Sequence, residues 1–152
     1  MKIGIAADHA GHKVKREVID FLTKAGYQVQ DFGAYYFDEE DDYPDIVLPL
    51  AKAISEGSVH KGVAICGSGI GVSVVANKLP RVRAAVVSDT YSARLGVQHD
   101  GLNLLCLGGR VISHALVLEL TQAFLTASIS EEERFQRRIH KLASIEEAYL
   151  KS

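Results

Sequence analysis

Residues 61–77 read Lys-Gly-Val-Ala-Ile-Cys-Gly-Ser-Gly-Ile-Gly-Val-Ser-Val-Val-Ala-Asn. A short apolar run of strand type ends in Cys66, glycines follow at 67, 69 and 71, and an apolar stretch of helical type closes the segment. A strand that turns through glycines into a helix is the core of a βαβ unit, and it places Cys66 at the carboxyl edge of a sheet. The glycines let backbone N–H groups approach an anion closely, and a helix N-terminus behind them favours a thiolate. The segment is a ready seat for a nucleophile or a base.

Outward from it the same pattern repeats. Residues 2–7 form an apolar strand, and Val14, Val18, Phe21, Leu22 and Ala25 sit at helical spacing within 13–25, with Gly26 as the stop. Residues 27–32 alternate as a strand, the acidic run 38–42 makes an exposed loop, and 45–56 is a helix carrying Pro49. Strands over 63–66, 84–88 and 102–107 alternate with helices over 72–79, 90–98 and 114–127. Such alternation predicts an α/β fold, a doubly wound three-layer sandwich on a five-stranded parallel sheet, in one domain spanning residues 1–152. A last helix is expected from Ser130, in a Ser-x-x-Glu capping box with Glu133, to about residue 150. No strand follows it, so its apolar side (Phe135, Ile139, Leu142, Tyr149) has either its own sheet or a partner subunit to dock on.

Composition narrows the partners. The chain has 152 residues, 47% of them hydrophobic, enough for a core without disulfides or metal. Seventeen basic against nineteen acidic side chains give a net charge of −2, so no overall field recruits nucleic acid or an anionic membrane. No apolar run approaches the roughly 18 residues a membrane span needs, and no export signal is visible. Two cysteines in strand-like segments fit free thiols in a reducing cytoplasm better than a disulfide.

In an open parallel sheet, ligands bind beyond the carboxyl ends of the strands where the strand order reverses, commonly between the first and third strands. Those ends carry Asp8-His9-Ala10-Gly11-His12 and Cys66-Gly67-Ser68-Gly69-Ile70-Gly71, and the end of the helix after the fourth strand adds His99-Asp100. Arg110, after Gly108-Gly109 at the end of the last strand, is placed to face the same cleft. Cys106, between leucines, reads as a core thiol. His60, His114 and His140 read as surface or helix-end residues. His9 and His12 lack a carboxylate-rich or Cys-x-x-Cys set to complete a zinc site, so no metal is expected. Arg134 and Arg138 lie about 40° apart around a helix and form either a fork for one phosphate or a solvated charged face.

Three chemistries compete for these residues. A dinucleotide enzyme would use the glycine loop for pyrophosphate and Asp89 for a ribose hydroxyl, but the spacing is Gly-x-Gly-x-Gly after the third strand, and no second domain remains for a substrate. A cysteine phosphatase needs an arginine six positions after the nucleophile, and position 72 is Val. Proton transfer beside a carbonyl needs a base, an acid for ring and carbonyl oxygens, and donors for an enediolate, all of which are present.

Ile-Ala-Ala-Asp-His-Ala-Gly at 5–11, Asp-Tyr-Pro at 42–44, Ile-Cys-Gly-Ser-Gly-Ile-Gly-Val-Ser at 65–73, Ala-Asn-Lys at 76–78 and Arg-Ala-Ala-Val-Val-Ser-Asp at 83–89 resemble the ribose-5-phosphate isomerase B family. So do Tyr91-Ser92-Ala93, Gln98-His99, Asn103, Gly108-Gly109-Arg110-Val111 and Arg134-x-x-x-Arg138. The resemblance implies an aldose–ketose isomerase of a phosphorylated sugar, without metal or nucleotide. It also implies a homodimer or dimer of dimers whose active sites are shared between subunits. By that likeness Cys66 carries the proton between C2 and C1, His99 opens the sugar ring, and Ser68 hydrogen-bonds near the thiol. The amides of Gly67, Gly69, Ile70 and Gly71 hold the enediolate, and Asp8, His9 and Tyr43 contact the sugar, His9 near its phosphate end. Arg110, Arg134 and Arg138 bind phosphate, some from the neighbouring chain. Val72 supplies no carboxylate, which favours the cysteine branch of the family over the glutamate branch. One position departs: the family has His-Asn where this chain has His99-Asp100, and a carboxylate beside an enediolate costs up to a few kcal/mol in a dry site. Ribose 5-phosphate is the expected substrate. A six-carbon sugar phosphate such as allose 6-phosphate, or a catalytically weak binding module, is the alternative.

Overall fold

The computed structural model describes residues 1–150. The strands, in chain order, are β1 (Lys2–Ala7), β2 (Gln28–Asp31), β3 (Lys61–Cys66), β4 (Ala84–Val86) and β5 (Leu104–Gly108). All pairings are parallel, and the order across the sheet is β2-β1-β3-β5-β4. The expected five-stranded parallel sheet is therefore what forms, and its order reverses between β1 and β3.

The three central strands are apolar on both faces because both faces are covered. Period-two alternation sorts their side chains into two cores. Ile3, Ile5, Val63, Ile65, Leu105 and Leu107 face α1 (His12–Lys24) and α5 (His114–Thr126), which bring in Val14, Val18, Leu22, Leu120 and Phe124. Ala6, Ala64, Cys66, Leu104 and Cys106 face α2 (Tyr43–Glu56) and α3 (Ile70–Ala76), through Val47, Leu50, Ala51, Val72 and Ala76. α4 (Thr90–Asp100) joins the first core through Ala93 and Val97 and packs beside α5. The three-layer sandwich follows, and Cys66 and Cys106 share a face. Burial raises the Cys106 thiol far above the ordinary cysteine range, as suits a core thiol.

Some boundaries differ from expectation for local reasons. α2 begins at Tyr43 rather than 45, because Pro44 fits a first turn where its missing N–H is not needed. α3 starts at Ile70 and stops at Ala76 instead of running 72–79. Asn77 then exchanges side-chain hydrogen bonds with both backbone groups of Ala84 (2.8 and 2.9 Å), acting as a neighbour to β4.

The largest difference is the last helix, α6 (Glu133–Tyr149), which does not start in a Ser130 capping box. Ser130 Oγ accepts from Glu132 N–H, while the Ser130 N–H donates to Gln98 O at 2.8 Å and its carbonyl accepts from Gln136 Nε2. Residue 130 is thus tied to α4, and the helix begins three residues later. α6 docks on α4 rather than on the sheet, with Phe135 buried at the contact and Leu142, Ile145 and Tyr149 left 43%, 57% and 82% exposed. Among the described residues no helix is long and apolar enough to cross a membrane.

Candidate active site

The carboxyl ends of β1, β3 and β5 are stitched together beyond the strands themselves. Asp8 N–H donates to Ile65 O, Gly109 N–H to Cys66 O and Arg110 N–H to Gly67 O, at 3.2, 2.8 and 3.1 Å. These bonds bring three predicted groups to one place: Asp8-His9, the 66–71 loop and Arg110. A Cβ built on Gly67 would stand 3.7 Å from the Arg110 guanidinium and 3.8 Å from Ala10, so the arginine lies over the loop.

The loop conformation depends on Gly69, which has φ +83° and sits against the Leu107–Gly108 backbone, where a Cβ would come within 3.0 Å of the Leu107 carbonyl carbon. In that turn the Gly69 N–H donates to Cys66 Sγ at 3.2 Å. Cys66 is 5% exposed, and its sulfur sits at the amino end of α3. Ser68 differs from expectation: its hydroxyl accepts from Ile70 N–H at 3.2 Å, and the bond recorded to the thiol is that of Gly69. Of the amides expected to hold an enediolate, those of Gly69 and Ile70 are engaged within the loop. Tyr43, at the start of α2, lays its ring on Gly71, where a Cβ would meet Tyr43 carbons at 2.7 Å.

Asp8 is buried, and desolvation raises its carboxyl above the usual range. His9 is held from a distance: Asp41 Oδ1 lies 2.6 Å from Nδ1 and accepts the His9 N–H at 3.2 Å. That hydrogen bond holds the imidazole above the ordinary histidine range. Sequence reasoning missed Asp41, which lies in the acidic run read as an exposed loop; no periodicity distinguishes one acid of five. Asp8, His9 and Asp41 place ligand-type atoms within 4.8 Å of one another. Two ligands of one tetrahedral zinc stand about 3.3 Å apart, whereas His9 Nδ1 and Asp41 Oδ1 lie at hydrogen-bond distance, 2.6 Å.

The other predicted residues lie elsewhere. His99 and Asp100 end α4, which runs antiparallel to the strands, so they sit at the amino edge. Gly101 O accepts from Arg83 Nε, and Asn103 N–H bonds to Arg83 O, Arg83 being the residue before β4. Cys66 instead pairs with Gly108 at the carboxyl end of β5. The convergence of His99 with Cys66 expected from sequence therefore does not occur within one chain. The reason is topological: a helix following a strand carries its own C-terminus back to the opposite edge.

Around His99 a second cluster forms. Its ring stacks on Phe135 at 3.8 Å between centroids and 5° between planes, and Arg134 and Arg138 place Cζ 4.5 and 5.6 Å from the same ring. The two arginines are gathered by an aromatic side chain that the sequence marked only as a docking residue. His99 and Asp100 also line a cavity of about 490 Å³ along β4 and α4, with Arg83, Tyr91 and Leu142.

Comparison with known proteins gives this arrangement a family. Residues 3–142 match the model of the Ribose/Galactose Isomerase family. The ribose-5-phosphate isomerase B of Escherichia coli is 38% identical over 146 residues, 96% of this chain and 97% of that one. The ribose-5-phosphate isomerase B structure from Clostridium thermocellum superposes with a TM-score of 0.92 at 44% identity, covering 98% and 99% of the two chains. The Mycoplasma genitalium enzyme, solved with bound ribulose 5-phosphate, gives 0.91 at 38% identity over 96% of each. With its sheet order and the Cys66 loop as described, the chain belongs to the ribose/galactose isomerase family.

Proposed function

We propose that this chain interconverts ribose 5-phosphate and ribulose 5-phosphate, with Cys66 as the base. The observation that carries this is Cys66 Sγ at the carboxyl end of β3, taking the Gly69 N–H at 3.2 Å beside Asp8, His9 and Arg110. The thiolate takes the C2 proton of the open-chain aldose. The C–H electron pair becomes the C1=C2 bond, and the carbonyl pair moves onto O1 as a cis-enediolate. A proton passes from O2 to O1, and the thiol returns its proton to C1, giving the ketose and restoring the thiolate. Loop amides, Ser68 and Tyr43 surround the enediolate, and Asp8 contacts a hydroxyl.

The site is completed by a second copy. One chain holds Cys66 and Arg110 at one edge of the sheet and His99, Arg134 and Arg138 at the other, so the partner subunit's His99 opens the ring and the partner's Arg134 and Arg138 join Arg110 on the phosphate. The exposed Leu142, Ile145 and Tyr149 on α6 suit such a partner. A homodimer or dimer of dimers, each chain a single domain over 1–152, is the form we assign. The reaction belongs to the reducing cytoplasm, where Cys66 stays a thiol.

Incubation with ribose 5-phosphate in D₂O tests this: deuterium should appear at C1 of ribulose 5-phosphate, and Cys66→Ala should stop both exchange and isomerisation while leaving the fold intact. Binding without C2 proton exchange would make the chain a binding module instead. Asp100 is exposed at the end of α4, where the family resemblance expects Asn; the alternative substrate is a six-carbon sugar phosphate, which turnover of allose 6-phosphate beside ribose 5-phosphate decides.

A further inference from the structure

The imidazole of His9 is pinned by a segment 32 residues away in the chain. A single oxygen, Asp41 Oδ1, takes both the His9 backbone N–H at 3.2 Å and the ring Nδ1 at 2.6 Å. The Asp41 side chain is only 9% exposed, and its Oδ2 is sealed from water with no hydrogen-bond partner. A carboxylate in that position has lost hydration on one oxygen without replacement, so its charge must be balanced through the other. The His9 ring is what Oδ1 faces. With Nδ1–H given to Asp41, the tautomer and ring plane are set and Nε2 is left for another partner. Three charged groups act on the ring: Asp41 and Asp8 favour its cationic form, and Arg110 opposes it. Arg110 lies on the same loop edge: a Cβ built on Gly67 would stand 3.7 Å from its side chain and 3.8 Å from Ala10, the residue after His9.

We propose that Asp41 is a positioning residue for the isomerase: through Nδ1 it fixes the His9 ring so that Nε2 faces the phosphate of the sugar, which His9 and Arg110 bind together. This rests on the isomerase reading above, and the bland alternative is that Asp41 only anchors the acidic loop to β1. In the cationic form His9 adds a charge-assisted donor to the guanidinium fork, and the phosphate is held from two directions. Loss of the proton at high pH removes that donor, so substrate binding weakens through the His9 transition while the Cys66 chemistry stays in place.

The experiment uses the full chain, wild type, Asp41→Asn and Asp41→Glu. Three quantities are followed against pH: the His9 ring resonances by NMR, KM and kcat for ribose 5-phosphate, and inhibition by inorganic phosphate. In the wild type the His9 ring should titrate above 6.5, with KM and the phosphate inhibition constant rising through the same transition. In Asp41→Asn the transition should move down in pH, raising KM near pH 7.5 several-fold with kcat within about threefold. Asp41→Glu should restore most of the wild-type profile. A His9 titration and KM profile unmoved in Asp41→Asn would overturn the proposal, as would a fall in kcat and Tm with no shift in the profile, which is what a loop anchor gives. Should Asp41→Asn fail to fold, a wild-type His9 that titrates below 6.5 overturns it equally. A protein that never isomerises ribose 5-phosphate refutes the isomerase reading, while His9 titration and phosphate binding still decide the role of Asp41.

Discussion

If the site is built from opposite edges of two sheets, two dead variants should make a live enzyme. Cys66 is level with Gly108 at one end of β5, and His99 is level with the residues preceding β5 at the other. Five strand residues separate the two levels by about 16 Å, several times the roughly 3 Å that a proton transfer tolerates. Within one chain these groups cannot serve one sugar. Cys66→Ala should lower kcat by about 10³-fold or more, and His99→Asn by about 10²-fold, in the separate proteins. When the two are co-refolded in equal amounts, about half of the dimers are mixed. Each mixed dimer has one site with both groups and one with neither. The mixture should therefore recover about a quarter of wild-type activity per chain. Steady-state turnover of ribose 5-phosphate before and after subunit exchange measures it. Activity that stays at the level of the separate variants, with mixed dimers shown by native mass spectrometry, would refute the two-chain site.

Gly69→Ala should destabilise the chain by about 2–4 kcal/mol, because φ +83° is strained for alanine and its Cβ would strike backbone at Leu107 rather than a movable side chain. Urea unfolding measures this, and a change under about 1 kcal/mol would show that the loop relaxes. Phe135→Ala removes the buried side chain of α6 and about 3 kcal/mol of docking, so α6 amides should exchange early in hydrogen exchange while the β-strands stay protected. Phe135→Leu should restore the protection but not KM, since it lacks the face on which His99 and the arginines lie. Asp89 caps α4 by accepting Ser92 N–H at 2.7 Å, which holds its carboxyl below the usual 3.8. A depressed folded value means its stabilisation is present above 3.8 and fades as pH falls through the lower folded value. Asp89→Ala should thus lower Tm at pH 7, and the gap to the wild type should narrow as pH falls below 3.8, which thermal scans across that range will read.

Much of the cleft was legible in the chain. The apolar runs of β1, β3 and β5, the Cys66 glycine loop and Arg110 after Gly108-Gly109 are local patterns, and the topology of parallel sheets then places their ends together. The His9–Asp41 bond was not legible, because it joins a strand end to a loop whose acids look alike until the chain closes on itself. The same holds for Phe135: helical spacing marks it apolar, but only the docking of α6 on α4 turns its ring toward His99 and the two arginines. Ser130 shows the converse failure, a correct capping motif overridden when its backbone is captured by Gln98.

Short-range physics, set residue by residue, determined the strands, the helices and the thiol seated at a glycine turn, since hydrophobic period and backbone permissiveness need no distant partner. Which edge of the sheet each functional group occupies was decided by tertiary structure alone. Each helix reverses the chain across the sheet, so residues that read as one site were carried about 16 Å apart, and a site in need of both must be assembled from two molecules.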